Sequence, residues 1–140
     1  MGVIEHVPHT PRFMLEAFKR TLKPGGLIVI ETPNLSYIYN IQKFAKGLSP
    51  FPPIELQFET EIPFVGHHRE YTKSEIQWMV KRMGFEEVHS SMYLYSLFML
   101  PYLMGLDLRN YKTMLKSPEY KELIMVLAAK PMHEVTSCGS

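Results

Sequence analysis

Two short segments carry most of the chemistry that the side chains of this sequence offer. Glu5-His6 follows the apolar pair Val3-Ile4, and His67-His68-Arg69 precedes Glu70-Tyr71-Thr72. A histidine changes charge near neutral pH, so it can accept or hold a proton, and a carboxylate beside it can orient it. His6, His67 and His68 are therefore the candidate catalytic residues. Neighbouring histidines in extended chain point in different directions, so at most one of His67 and His68 is expected to share a site with His6. Plainer readings stand beside these. Glu5-His6 also reads as a strand terminus with a solvated Glu and a histidine bonded to a carbonyl, and His67-His68-Arg69 as an exposed polar turn ahead of a helix. Tyr71 also reads as an apolar residue stapling the start of that helix. His9, His89 and His133 have no motif around them and read as surface or strand residues.

The elements that must position these residues alternate between helix and strand. Val3-Ile4 reads as the end of a strand, with Thr10 as N-cap and Pro11 as first residue of a helix. Met14, Ala17, Phe18 and Leu22 recur at helical spacing, Lys19, Arg20 and Lys23 crowd the last turn, and Gly25-Gly26 stops it. Leu27-Ile28-Val29-Ile30 is a continuous apolar run, as in a strand covered on both faces within a parallel sheet. Thr32-Pro33-Asn34 ends it. A weaker helical pattern at Tyr37, Ile38, Ile41 and Phe44 is broken by Ser49-Pro50-Phe51-Pro52-Pro53. Thr72-Lys73-Ser74-Glu75 is a capping box, followed by Ile76, Met79, Val80 and Met83 on one helix face and then Gly84. Alternation over residues 88–95 and a final apolar run, Leu123 to Ala129, predict two strands that pair antiparallel with no clear helix between them. The expected fold is α/β. In such sheets ligands bind beyond the carboxyl ends of strands, which puts Glu5-His6 and Thr32-Pro33-Asn34 on one cleft.

Composition narrows the function. The chain has 140 residues, 46% of them hydrophobic and 21% charged, which fits one globular domain rather than a disordered or coiled-coil chain. A formal net charge of +1 with both signs scattered offers no footprint for nucleic acid or an anionic membrane. One cysteine, Cys138, lies in a polar tail over 132–140, so neither a disulfide framework nor a cysteine metal site is expected. A reducing, cytoplasmic location fits. The N-terminal segment lacks the features of a signal peptide, and the greasiest stretch, Met92 to Leu106, is interrupted by Ser96, Pro101 and Gly105 and is too short to span a bilayer. Tyr95 to Leu106 reads as core, as a lid over an apolar acceptor, or as a membrane-touching patch.

With the elements in order, Gly2-Val3-Ile4-Glu5-His6-Val7-Pro8, Leu22-Lys23-Pro24-Gly25-Gly26, Ile30-Glu31-Thr32-Pro33-Asn34 and Gly66-His67-His68-Arg69-Glu70-Tyr71-Thr72 together resemble one family, the class I S-adenosylmethionine-dependent methyltransferases. The resemblance implies that residues 1–131 are the C-terminal part of a doubly wound, Rossmann-like domain ending in an antiparallel strand pair. It implies that Glu5, His6 and Val7 lie beside the methionine portion of S-adenosylmethionine, that His6 is a base or acceptor-positioning group, and that Asn34, Arg69 and Tyr71 contact substrate. The family's glycine-rich cofactor loop has no counterpart here, because glycines occur only at 2, 25, 26, 47, 66, 84, 105 and 139 and no G-x-G exists. Binding of S-adenosylmethionine by this chain alone is thus not expected. The implied activity is O-methylation of a small molecule or sugar, inactive without the missing half, and the alternative is a non-catalytic binding module with the same fold. Self-association through bared apolar surface is expected in either case. Glu-x-x-Glu-His after a fourth strand, together with a later histidine, also resembles the metal site of small-RNA 2′-O-methyltransferases. Gly2 stands at the first Glu position, which removes much of the charge a hard cation needs, so no metal is expected.

Overall fold

The computed structural model describes residues 2–8, 10–61, 64, 66–95 and 108–133. Helix α1 spans Arg12–Thr21, strand β1 Leu27–Pro33, helices α2 and α3 Ile38–Ala45 and Ile54–Phe58, and helix α4 Lys73–Arg82. Strand β2 (Glu86–Tyr93), helix α5 (Leu108–Lys116) and strand β3 (Leu123–Ala129) complete the order. The sheet runs β1-β3-β2, with β3 antiparallel to both neighbours. The expected antiparallel pairing of the last two strands is thus present, and the chain is a mixed α/β fold compatible with part of a Rossmann-like methyltransferase domain.

One face of this sheet holds the core. Ile28 and Ile30 stand opposite Ala128 and Val126 in the β1–β3 register, and Thr32 opposite Ile124. Leu15 of α1, Ile76 and Val80 of α4, and Ile4, Tyr71 and Phe85 cover them. Alternation does the sorting, since successive side chains of a strand leave on opposite faces. Leu27 and Val29 accordingly point the other way and are 56% and 62% exposed. The β1 run was expected to be covered on both faces in a parallel sheet. Its only partner among the described residues is the antiparallel β3, and Leu27 and Val29 are left uncovered.

Local signals explain the element ends. Thr72 Oγ1 accepts the Glu75 N–H, and the Glu75 carboxylate accepts the Thr72 N–H at 2.8 Å, so the capping box closes in both directions. Gly25 adopts φ +75°, and the chain there joins the sheet through paired bonds, Gly25 N–H to the Lys130 carbonyl and Lys130 N–H to the Gly26 carbonyl, each 2.8 Å. The Lys130 ammonium donates to the carbonyls of Lys19 and Leu22 at 2.9 and 3.1 Å, placing a cation on the negative end of α1. At the other end of α1, Thr10 Oγ1 accepts from Arg12 N at 3.4 Å, while Pro11 occupies the cap and the helix starts one residue later than expected.

Two expectations change. Val3-Ile4 does not end a strand: the His6 N–H returns to the Val3 carbonyl at 3.0 Å, forming a 3-10 turn over Ile4–His6 that turns Ile4 into the core. A helix does separate the last two strands. α5 buries Met114 and the Asn110 side chain, whose amide exchanges two hydrogen bonds, at 2.8 and 3.1 Å, with that of Gln42 on α2. The short α3 follows the proline cluster, with Pro53 as its cap residue. Residues 96–107 and 134–140, which include most of the Tyr95 to Leu106 stretch and Cys138, lie outside the described residues.

The capping box carries a pH signature. Burial alone would raise the Glu75 carboxyl, but the Thr72 backbone N–H and the Arg69 guanidinium outweigh it and hold Glu75 below the usual carboxylate range. A carboxyl depressed in the folded state stabilises fully above its unfolded pKa, and that share is lost as pH falls through the folded value. Thr72→Ala is expected to cost about 1 kcal/mol in urea unfolding at neutral pH. Glu75→Gln is expected to flatten the loss of stability below pH about 4, measured as Tm against pH.

Candidate active site

The site is built where β1 ends. Glu5 lies on the 3-10 turn with its side chain 3% exposed, and Thr32 Oγ1, near the carboxyl end of β1, donates to Glu5 Oε2 at 3.4 Å. The Glu5 carbonyl accepts His68 N–H at 2.7 Å and Arg69 N–H at 3.4 Å. One peptide oxygen therefore fastens the loop before α4 across the turn, and that closure sets His67 over His6. Their rings meet edge to face, 4.8 Å between centroids. His6 Nε2 is 3.8 Å from Glu5 Oε1, and one ligand-type atom each from Glu5, His6 and His67 falls within 4.8 Å of the others.

A further set of contacts holds His67 from behind. Its Nδ1 is 3.1 Å from Glu70 Oε1, and Glu70 Oε2 accepts from Asn40 Nδ2 at 3.1 Å. Asn40 also donates to the Asn34 carbonyl at 3.3 Å. A continuous polar path thus runs from Asn34 through Asn40, Glu70, His67 and His6 to Glu5 and Thr32. The Glu70 carboxylate thus orients the His67 ring against His6.

Of the predicted site residues, the structure brings together Glu5, His6 and His67. His68 leaves the cluster: its Nε2 bonds to the Phe64 carbonyl at 2.8 Å and its ring packs edge-on against Phe64. Val7 follows His6 and is half-buried. Asn34 is 1% exposed, and its side chain is fully engaged, Nδ2 with the carbonyls of Glu119 and Lys121 at 2.9 and 2.6 Å and Oδ1 with Ser36 N–H at 3.0 Å. Arg69 pairs with Glu75 at 2.6 Å and lies over the Tyr71 ring. Tyr71 is buried in the core, and its hydroxyl is pushed up first by that burial. Both residues line a groove of about 730 Å³ between α1 and α4, with Arg12, Leu15, Trp78 and Met83, rather than the histidine cluster. Glu70 and Asn40 were not anticipated as site residues. Glu70 sits three positions after His67, a spacing that could have marked it.

A family model described as a methyltransferase domain matches residues 1–90, which contain the whole cluster and its supports. The chain belongs to the methyltransferase-domain family. No curated protein sequence matches it significantly. Methyltransferases of this family generally use S-adenosylmethionine. The Glu5 carboxylate packs so closely on Gly2 that a Cβ there would come within 2.0 Å of Oε1, leaving His6 and Val7 as the more accessible part of the segment. Among the described residues, the groove between α1 and α4 is not lined by Glu5, His6 or Val7, and no G-x-G loop exists in the sequence. No helix among the described residues is long and apolar enough to cross a membrane.

Asn34→Ala removes a buried carboxamide that bonds three backbone groups, the Glu119 and Lys121 carbonyls and the Ser36 N–H. It is expected to destabilise the methyltransferase-family chain by about 1–3 kcal/mol in denaturant unfolding, whereas Ser36→Ala, which keeps the bonded backbone N–H, is expected to change stability little.

Proposed function

We propose that this chain is the acceptor-side portion of an S-adenosylmethionine-dependent methyltransferase that acts on a hydroxyl of a small molecule or sugar. The reading is carried by one observation: Glu5, His6 and His67 converge at the end of β1 within the stretch that matches a methyltransferase domain. A sulfonium methyl donor is already activated, so the protein's part is to align the acceptor, keep water out and see the hydroxyl proton removed. His6, 40% exposed at its side chain, meets the acceptor oxygen. His67 is steadied by Glu70 and sets the second side of the same small space. Glu5, buried beneath them, brings its carboxylate to 3.8 Å from His6 Nε2 and forms the floor of that space. Asn34 acts by holding the end of β1 in place, and Arg69 and Tyr71 border the neighbouring groove.

The cofactor loop is supplied from outside these 140 residues, so the chain alone is inactive. Calorimetric titration with S-adenosylmethionine is expected to show no micromolar binding, and such binding would contradict this part of the reading. Co-expression with a polypeptide carrying a glycine-rich cofactor loop, followed by transfer of tritiated methyl groups to hydroxylated small molecules and sugars, tests the rest. His6→Ala is expected to lower transfer roughly 100-fold or more. Undiminished transfer would remove His6 from the mechanism, and labelling confined to amines would overturn the oxygen assignment.

A further inference from the structure

We infer that the groove between α1 and α4 is a binding site for a small, flat, apolar anion, with aromatic carboxylates as the ligand class. This goes beyond the methyl-transfer reading, because the groove is not lined by Glu5, His6, Val7 or His67 and its occupancy is measured with no methyl donor present. At about 730 Å³ it has the size of a small-molecule site, which runs from about 300 to 1,000 Å³.

Helical periodicity builds both walls. Residues three and four apart share a helix face, which puts Glu75, Trp78, Met79, Arg82 and Met83 on one stripe of α4, and Arg12, Leu15 and Glu16 on one stripe of α1. The stripe that holds α4 on the sheet is a different one, made by the fully buried Ile76 and Val80. Trp78, the only tryptophan of the chain, is therefore spare to the packing and stands 65% exposed. An indole left bare on a concave surface offers a flat apolar face on which a ring can stack. Met79 and Met83, both half-buried, line the same groove, and their unbranched side chains adapt to the outline of what enters it.

The charges along the groove do not balance, and the excess sets the sign of the ligand. Its lining carries three arginines and two glutamates. Arg12 pairs with Glu16 and Arg69 with Glu75, each at 2.6 Å. Arg82 has no hydrogen-bond or ion-pair partner among the described residues. It stands one turn after Trp78 on the same stripe, so a single ligand can lay its ring on the indole and its anionic group on the guanidinium. A guanidinium meets a carboxylate through two parallel bonds, which favours that anion over others of equal charge. A cation in the last turn also suits the helix dipole, but Lys81 beside Arg82 serves that purpose as well. Lys19 and Arg20 line a smaller groove that shares Glu16 and Met83 with this one, adding positive charge and no further carboxylate.

The test is a titration of the 140-residue chain with anilinonaphthalenesulfonate, a flat aromatic anion, read both by energy transfer from Trp78 and by the directly excited emission of the probe. Naphthoate and neutral naphthamide serve as competitors. One equivalent of probe is expected to bind with energy transfer and to be displaced by naphthoate, with naphthamide roughly 5-fold weaker. Trp78→Ala is expected to weaken binding roughly 10-fold, and Trp78→Phe to keep most of it. Arg82→Gln is expected to weaken it roughly 5-fold. Circular dichroism stays unchanged in all three, because both side chains are exposed. His6→Ala is expected to leave binding as it is, which separates this site from the methyl-transfer reading. Absence of saturable binding, binding indifferent to both Trp78→Ala and Arg82→Gln, or naphthamide as strong as naphthoate would overturn the inference. So would binding lost in Leu27→Ser with Val29→Ser, on the bare face of β1, but kept in Trp78→Ala. A dimer in light scattering that Trp78→Ala dissociates would overturn it too, by making a second copy the occupant.

Discussion

The Asn34 carboxamide lies where β1 gives way to the loops that carry the site, and it takes its partners from the far end of the chain. Its side-chain amide holds the carbonyls of Glu119 and Lys121, its carboxamide oxygen holds Ser36, and its backbone N–H reaches the Glu122 carbonyl at 2.9 Å. Beside it, the Leu35 N–H bonds to the Tyr71 carbonyl at 2.9 Å, and Asn34 and Tyr71 form a parallel bridge. An interior group of this kind leaves no slack, because each backbone partner would lose its hydrogen bond if the side chain moved. The end of β1, the start of β3 and the approach to α4 are therefore held in one arrangement. From Asn34 the polar path through Asn40 and Glu70 reaches His67, so the histidine cluster inherits its geometry from this joint.

The sequence is most legible where structure is decided within a few residues. Thr72 and Glu75 specify the start of α4 by themselves, and Gly25 specifies the turn between α1 and β1, because capping and a positive φ are local matters. It is less legible where an element's partner decides its environment. Leu27 to Ile30 is apolar throughout, which fits a strand covered on both faces as well as an edge strand with one bare face. Only the arrival of β3 on one side of β1 separates these. α5 escapes notice for another reason. It is short and rich in Arg, Asn and Lys, and it is fixed by Met114 and by an amide pair with Gln42 sixty-eight positions away.

The same division applies to the site. Glu5, His6 and His67 are conspicuous as residue types near element ends, and alternation in extended chain separates His67 from His68. Asn40 is an ordinary polar residue until the loop before α4 closes over the 3-10 turn, whereas Glu70 is marked locally only by its place three positions after His67. Tyr71 and Arg69 illustrate the reverse case. Their types suggest ligand contact, but Tyr71 is a core residue and Arg69 is paired with the capping glutamate of α4.

The placement of β3 between β1 and β2 has a consequence for biosynthesis. The strand that joins the other two is the last of the three to be translated, so β1 and β2 have no hydrogen-bonding partner in this sheet until residues 123–129 clear the ribosome exit tunnel. At roughly 5–20 residues per second, a nascent chain carries unpaired β1 and its apolar side chains for several seconds. Completion of the sheet is thus an event at or after the end of these 129 residues' synthesis, when one late segment inserts between two waiting ones. Factors that shield extended apolar segments during translation would have their window of action here, before the insertion and not after it.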